Sequence, residues 1–235
     1  MLMPFDEEMR ALSRVDVLEP LSREELEWLT GQVPDTLLEK GEVLYTPQET
    51  SDRVFLLKEG RVEVYKLGPD ERELTLGIVE EGTIFGDLAL GRERPQGAYA
   101  RAVEPSMVGL LEEEILEDLI RRNPEVGLQM VRLLNERLRF YRDRMTDLAQ
   151  KDVPARLASL ILYLVQDEGI KTREGYRIPV RYTHEQLGAM IGVKRVAVSR
   201  AFRRLRDAGA VEYEGRHIVV RDLETLRRAS GPEER

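Results

Sequence analysis

The stretch THEQLGAMIGVKRVAVSRAFRRLR, Thr183 to Arg206, carries two short helical patterns joined across a glycine. Thr183 and Gln186 have the spacing of a capping box, which predicts a helix start. Leu187 and Ile191 give that helix an apolar face. Gly188 is small where a second helix must cross closely, and Gly192 supplies the backbone freedom of a tight inter-helix turn. Beyond the turn, Val198, Ala201, Phe202 and Leu205 recur at helical spacing on one side. Lys194, Arg195, Ser199, Arg200 and Arg203 are left on the exposed side. The arrangement predicts a helix-turn-helix whose second helix offers fixed donors to a DNA major groove. An ordinary helical hairpin with a solvated basic face is the alternative. Cap, small residue, turn glycine and one-sided charge coincide here, which favours DNA.

Charge distribution points the same way. The chain of 235 residues has a net charge of -8, which alone argues against a nucleic-acid partner. From Lys151 onward, however, 17 Lys plus Arg face 12 Asp plus Glu, whereas the first 150 residues carry 19 against 32. Met190 to Arg206 holds six basic residues and no acid. An acidic body with a locally basic reading head concentrates electrostatic affinity in one face.

Composition excludes several classes. There is no cysteine, so disulfides, thiolate metal sites and cysteine-ligated iron–sulfur clusters are ruled out. The start, MLMPFDEEMR, has acids where a signal peptide needs a basic region, and no apolar run reaches membrane-spanning length. A cytoplasmic protein without membrane contact is expected. High charge (34%) and only two asparagines, Asn123 and Asn135, are the composition of a thermophilic source. No nucleophile–base pair, metal-ligand cluster or Walker loop is present, and His184-Glu185 lacks the second histidine of a zincin, so no catalytic residue and no enzyme is expected.

Working outward from the motif, Gly209 to Val220 (GAVEYEGRHIVV) reads as a two-stranded wing turning near Glu214-Gly215. Asp222 has the position of a cap for a last short helix through Arg228, and Ser230 to Arg235 reads as a frayed tail. Upstream, Ala155 to Gln166 predicts a helix, and residues 166–175 (QDEGIKTREG) a loop. A long helix is predicted from Pro124, a suitable first-turn proline, to Gln150. On it Val131, Leu134, Leu138, Tyr141, Met145 and Leu148 follow the a/d spacing of a heptad seam, which predicts a parallel homodimer. Leu133 and Phe140 are the candidates for packing on the chain's own body. Lys151-Asp152-Val153-Pro154 breaks the pattern and reads as a hinge. Leu37 to Leu111 has another texture. Short β-rich runs (Val43 to Tyr45, Val54 to Leu57, Val62 to Tyr65, Leu74 to Val79, Met107 to Leu111) alternate with glycines, as in a sandwich or small barrel. Leu21 to Leu26 has the look of a capped short helix.

This order of elements resembles the cyclic AMP receptor/FNR family of bacterial transcription regulators over nearly the whole chain. The resemblance implies an α+β fold. A cyclic-nucleotide-binding-type β-barrel (a double-stranded β-helix or jelly roll) would occupy residues 1–123. A dimerisation helix would follow at 124–151 and a winged helix-turn-helix at 152–235. It also implies double-stranded DNA, a second copy of the chain and RNA polymerase as partners, with activation as the family habit and residues 166–175 as the place for polymerase contact. The alternative of another class is a cyclic-nucleotide-binding module that regulates a partner protein. The basic recognition face weighs against it.

The family's phosphate-binding cassette corresponds to FGDLALGRERPQGAYA, Phe85 to Ala100. Gly86, Leu88, Ala89, Leu90, Pro95 and Ala98 fit its pattern. Gln96 stands where an arginine pairs the cyclic phosphate, and Asp87 where a longer glutamate holds the ribose. On the long helix, Tyr141 and Arg142 stand where hydroxyl residues contact the base. The degenerate effector pocket is therefore Gly86, Asp87, Leu88, Gln96, Gly97, Tyr141 and Arg142. Losing the charged phosphate contact costs about 1.5–3 kcal/mol, so cyclic AMP is not expected as effector. Arg92, Arg94, Arg101 and Arg142 are candidate anion partners for another ligand. A cyclic-AMP-dependent regulator with a non-standard phosphate contact is the competing reading. No cofactor is expected. The only two histidines, His184 and His217, lie in the DNA-binding part, which leaves no histidine for sensory haem.

The expected DNA-contacting set is Thr183, His184, Lys194, Arg195, Val196, Ser199, Arg200 and Arg203. Arg195 and Arg200 suit bidentate contact with guanines and Val196 a thymine methyl. Lys194, Ser199 and Arg203 suit phosphates. The Arg-Val pair is similar to the helix of the family's nitrogen-control branch.

Overall fold

In the computed structural model, residues 5–49, 53–68, 70, 71, 73–86 and 97–231 are described, with the side chains of residues 5–8 left aside. The chain divides into two compact units, Met1–Leu138 and Arg139–Arg235, each treated by itself below.

The first unit begins with helices α1 (Phe5–Leu12) and α2 (Arg23–Thr30). Ser22 and Glu25 form the capping box that starts α2. Eight strands follow: β1 (Asp35–Leu38), β2 (Val43–Tyr45), β3 (Arg53–Glu59), β4 (Arg61–Leu67), β5 (Glu73–Glu80), β6 (Thr83–Phe85), β7 (Tyr99–Ala102) and β8 (Ser106–Glu112). They form two four-stranded sheets, ordered β1-β8-β3-β6 and β2-β7-β4-β5, with every pairing antiparallel. This is the expected jelly-roll type, but as two sheets and not as a closed barrel. Then come α3 (Glu113–Arg122) and α4 (Pro124–Gln150).

Strand β3 explains how this unit is layered. Phe55 and Leu57 point into a core with Tyr45, Val62, Phe85, Ala100, Ala102 and Val108, contributed by both sheets. Val54 and Leu56 point the other way, into a cluster with Leu12, Leu18, Leu29, Leu116, Leu119 and Val126 from the helices. A strand buried on both faces needs an unbroken apolar run, and Val54-Phe55-Leu56-Leu57 is that run. Lys58 follows it and is fully buried, with Nζ 2.6 Å from Asp35 Oδ1. A Cβ on Gly109 of the adjacent strand would lie 3.0 Å from Lys58 Cε and 2.7 Å from Val33, so glycine makes room for the lysine stem.

Helix α4 runs from Pro124 to Gln150 as its proline and heptads predict. Leu133 packs on the helical side of the first core. Phe140 packs on Tyr163, with ring centroids 4.5 Å apart. All six seam residues, by contrast, are exposed within the single chain, from 43% at Tyr141 to 70% at Met145.

The second unit continues with α5 (Val153–Glu168), β9 (Ile170–Thr172), β10 (Gly175–Arg177), α6 (His184–Ile191), α7 (Arg195–Asp207), β11 (Val211–Glu214), β12 (His217–Val220) and α8 (Leu223–Ser230). Leu157, Ala158, Leu160, Ile161, Leu164 and Val165 line the buried side of α5, which packs against α6, α7 and α8. The strands form one sheet ordered β11-β12-β10-β9. Two expectations are corrected here. Residues 166–175 are not a loop: α5 reaches Glu168 and a short hairpin pairs Ile170–Thr172 with Gly175–Arg177. Ser230 is not in a frayed tail but is the buried last residue of α8; residues 232–235 lie outside the described residues. Asp222 caps α8 through Glu224 and Thr225, as its position predicts.

Candidate nucleic-acid interface

The Thr183 side chain accepts from the Gln186 amide, and Gln186 accepts from the Thr183 amide, so the capping box forms and starts α6. Gly192 ends α6 in the left-handed region at φ 68°, where a side chain is strained. A Cβ on Gly188 would stand 2.6 Å from the Val193 carbonyl oxygen and 3.4 Å from Val198, so the two helices cross where only hydrogen fits. Val198, Ala201, Phe202 and Leu205 are all buried on α7. Lys194, Arg195, Val196, Arg200 and Arg203 are exposed. Thr183 is also exposed at the start of α6. Lys194 occupies the N-cap of α7, so the exposed cluster begins where the helix's free amide groups favour an anion.

Ser199 and His184 lie differently from their neighbours. Both are half-buried. The Ser199 hydroxyl donates to the Arg195 carbonyl at 3.1 Å and lies 2.8 Å from His184 Nδ1. The imidazole stands beside Phe202 and Tyr213, with centroids at 5.5 and 5.8 Å, and Phe202 stacks on Tyr213 at 4.5 Å. Burial and then the Arg195 charge push the His184 pKa below its ordinary value. Burial pushes Tyr213 up to about 12.

The wing is the hairpin of β11 and β12, turning through Gly215 at φ 60°. Its base is tied down by Arg221, which pairs with Glu212 and Glu174 and reaches Glu214 at 2.6 Å. Arg216, exposed in the turn itself, is a basic candidate that sequence reasoning missed. Its signal was the Glu214-Gly215 turn, which puts the next residue at the wing tip. His217 is half-buried at the start of β12. Arg156 of α5 donates to the Ile191 carbonyl at 3.2 Å and so holds the end of α6 from behind.

Of the expected effector pocket, Asp87, Leu88 and Gln96 lie outside the described residues, as do Arg92 and Arg94. Gly86 and Gly97 flank that segment with φ of 99° and 70°. A Cβ on Gly86 would come within 3.0 Å of the Phe55 ring. Arg137 of α4 donates to the Ile84 carbonyl just before Gly86. Tyr141 and Arg142 are both exposed on α4. Arg101 is not a free anion partner. It sits on the strand face opposite Ala100 and Ala102, bidentate to Glu73 at 2.8 Å, 2.6 Å from Glu63 and 4.5 Å over the Tyr65 ring. Hydrogen bonding to Glu73, and then to Glu63, raises its pKa further. Among the described residues no helix is long and apolar enough to cross a membrane.

Comparisons with known proteins agree with this geometry. The Crp-like helix-turn-helix domain matches residues 155–229, and the cyclic nucleotide-binding domain matches residues 36–123. A "CRP-like cAMP-activated global transcriptional regulator" of Mycobacterium tuberculosis is 26% identical over 92% of this chain and 97% of its own. A "Global nitrogen regulator" of Nostoc is 28% identical over 85% of this chain and 91% of its own. Among solved structures, a CooA variant from Carboxydothermus hydrogenoformans superposes with a TM-score of 0.79 at 26% identity, covering 92% of this chain and 95% of that one.

Proposed function

We propose that this chain, which belongs to the CRP/FNR family of DNA-binding transcription regulators, reads its operator as a homodimer and activates transcription without cyclic AMP. One observation carries the dimer: six large apolar side chains at a/d spacing stand exposed along one stripe of α4. Burying a side chain of this size gives about 1.5–3 kcal/mol, so six against their copies offset the several kcal/mol that association costs. Two reading heads then engage half-sites one helical turn apart. Arg195 and Arg200 read guanines and Val196 a thymine methyl, while Lys194, Arg203 and the cap at Thr183 hold the backbone.

Effector independence rests on Gln96, which brings no charge to a phosphate, and on the bulky Tyr141 and Arg142 in place of short aliphatic hydroxyl side chains. The competing reading, a regulator that still requires cyclic AMP, is supported by the name of the mycobacterial relative. The hairpin of β9 and β10 is the proposed polymerase contact, since every residue of β9 is exposed. The site of action is the cytoplasm. Selection of bound sequences from a random duplex pool, with and without cyclic AMP, tests the proposal. Paired half-sites one turn apart, enriched equally in both arms, are expected. No enrichment, or enrichment only with cyclic AMP, overturns it.

A further inference from the structure

We infer that His184 is a positioning residue that sets α7 against the wing by holding Ser199, and that it makes no contact with DNA. The inference rests on α7 being the reading helix and on nothing about the dimer or the effector. Three elements meet at this ring: it is the first residue of α6, bonds Ser199 on α7 and faces Tyr213 on β11. With the hydroxyl proton of Ser199 on the Arg195 carbonyl, Ser199 accepts toward His184 and Nδ1 carries the imidazole proton, the tautomer assigned from that contact. That leaves Nε2 as a bare lone pair. The structure gives this atom no solvent exposure and no hydrogen-bond partner. A group reaching a phosphate must be accessible, and Nε2 is not. What the ring does is brace. It fixes the carbonyl-bonded Ser199 one turn beyond Arg195, the first α7 residue expected to touch a base, and it seats Phe202 against the wing's Tyr213.

The brace depends on a neutral ring. The charged and titratable groups facing it are Arg195 on α7 and Tyr213 on β11, with Glu185 exposed beside it on its own helix. Among the described residues no carboxylate pairs with the ring to favour its charged form. Protonation would put a cation at the buried Nε2 next to Arg195, so acid should loosen the reading head.

Specificity and salt dependence separate bracing from contact. Wild-type titrations on the selected operator and on random duplex first establish that operator preference exists. Failure at that stage strikes the proposed function, not His184. His184→Ala and His184→Phe are then expected to lose about tenfold in operator-over-random ratio, the worth of one buried hydrogen bond, with an unchanged slope of log K against log salt. His184→Asn, which keeps a short donor for Ser199, is expected to recover the ratio to within about threefold. The wild-type ratio should fall as the pH drops below the ordinary imidazole range, because burial and Arg195 lower the His184 pKa, and that of His184→Asn should stay flat. A salt slope reduced by about one in His184→Ala would mean a phosphate contact and overturn the inference. So would an unchanged ratio in His184→Ala, or equal pH profiles for wild type and His184→Asn. If His184→Ala and His184→Phe melt too early to assay, the pH comparison with His184→Asn decides alone.

Discussion

Lys151 Nζ lies 2.9 Å from Ser159 Oγ, so the residue that leaves α4 is bonded to α5. The same ammonium is 2.6 Å from Asp147 Oδ1 on α4, and Asp152 caps α5 through the Ala155 amide. A break in the heptads at Lys151-Asp152-Val153-Pro154 reads as a hinge, and in the structure these contacts tie the end of α4 to α5 at that point. The division between the compact units falls earlier, between Leu138 and Arg139 within α4.

Lys151→Met should therefore loosen the corner without disturbing the cores. Loss of two partly exposed polar contacts is expected to lower the local opening free energy by about 1–2 kcal/mol, which speeds exchange about 5- to 30-fold. Amide hydrogen exchange at Lys151 and Ala155 measures this. Unchanged rates there would show that the Asp152 side-chain cap alone holds the corner.

The seam on α4 makes a sharper prediction. Leu138→Glu places carboxylates at the centre of the proposed interface, where a second copy would bring like charge against like. Monomers that no longer bind operator at the wild-type concentration are expected, because two linked heads bind far more tightly than one. Sedimentation velocity reads the assembly directly. An undisturbed dimer would remove this face of α4 from the interface.

On α7, Arg200→Ala should cost about 1–3 kcal/mol on the preferred operator and relax the preference at one base pair in each half-site. Lys194→Ala, at the helix N-cap, should instead weaken operator and random duplex alike and reduce the salt slope by about one. Titration of both variants against both duplexes at several salt concentrations separates them. Indistinguishable behaviour would mean that the division between base-reading and backbone-holding residues is wrongly drawn.

These residues also show what a sequence can disclose. Thr183 with Gln186, Gly188, Gly192 and the buried side of α7 were legible because capping, close approach and helical periodicity are local properties. The exposed apolar stripe of α4 was legible for the same reason. Strands β6 and β7 were not: Thr83–Phe85 is three residues long, and Tyr99–Ala102 hides its inward side in alanines. The β9–β10 hairpin was missed because Lys171 to Gly175 is loop-like in composition. Its strands are held by pairing of Tyr176 and Arg177 with β12, more than forty residues on. The surroundings of His184 were hidden for a comparable reason. Its position beside a basic helix puts it in the expected DNA-contacting set, and only tertiary packing reveals Ser199, Phe202 and Tyr213 around it.

The effector prediction follows from chemistry in the cassette. By the family resemblance, Gln96 stands where members that bind a cyclic nucleotide place the arginine that pairs its phosphate. An amide offers neither the charge nor the planar fork of a guanidinium, and its loss costs about 1.5–3 kcal/mol. By the same resemblance Asp87 is one methylene short for the ribose, and Tyr141 and Arg142 stand where short aliphatic hydroxyl side chains would meet the base. Arg101 cannot substitute, since Glu63 and Glu73 already hold it. Calorimetry on the wild-type protein should therefore show no cyclic AMP binding in the low micromolar range, and operator affinity should be the same with and without the nucleotide. Gln96→Arg should recover weak binding only, because the ribose and base contacts stay imperfect. The unliganded dimer must then hold its reading heads in a DNA-competent orientation in a substantial share of molecules, since a ligand cannot shift a population it does not bind. A strict requirement for cyclic AMP in the operator titration would defeat this account and would direct attention to Arg92 or Arg94 as the cation that meets the phosphate.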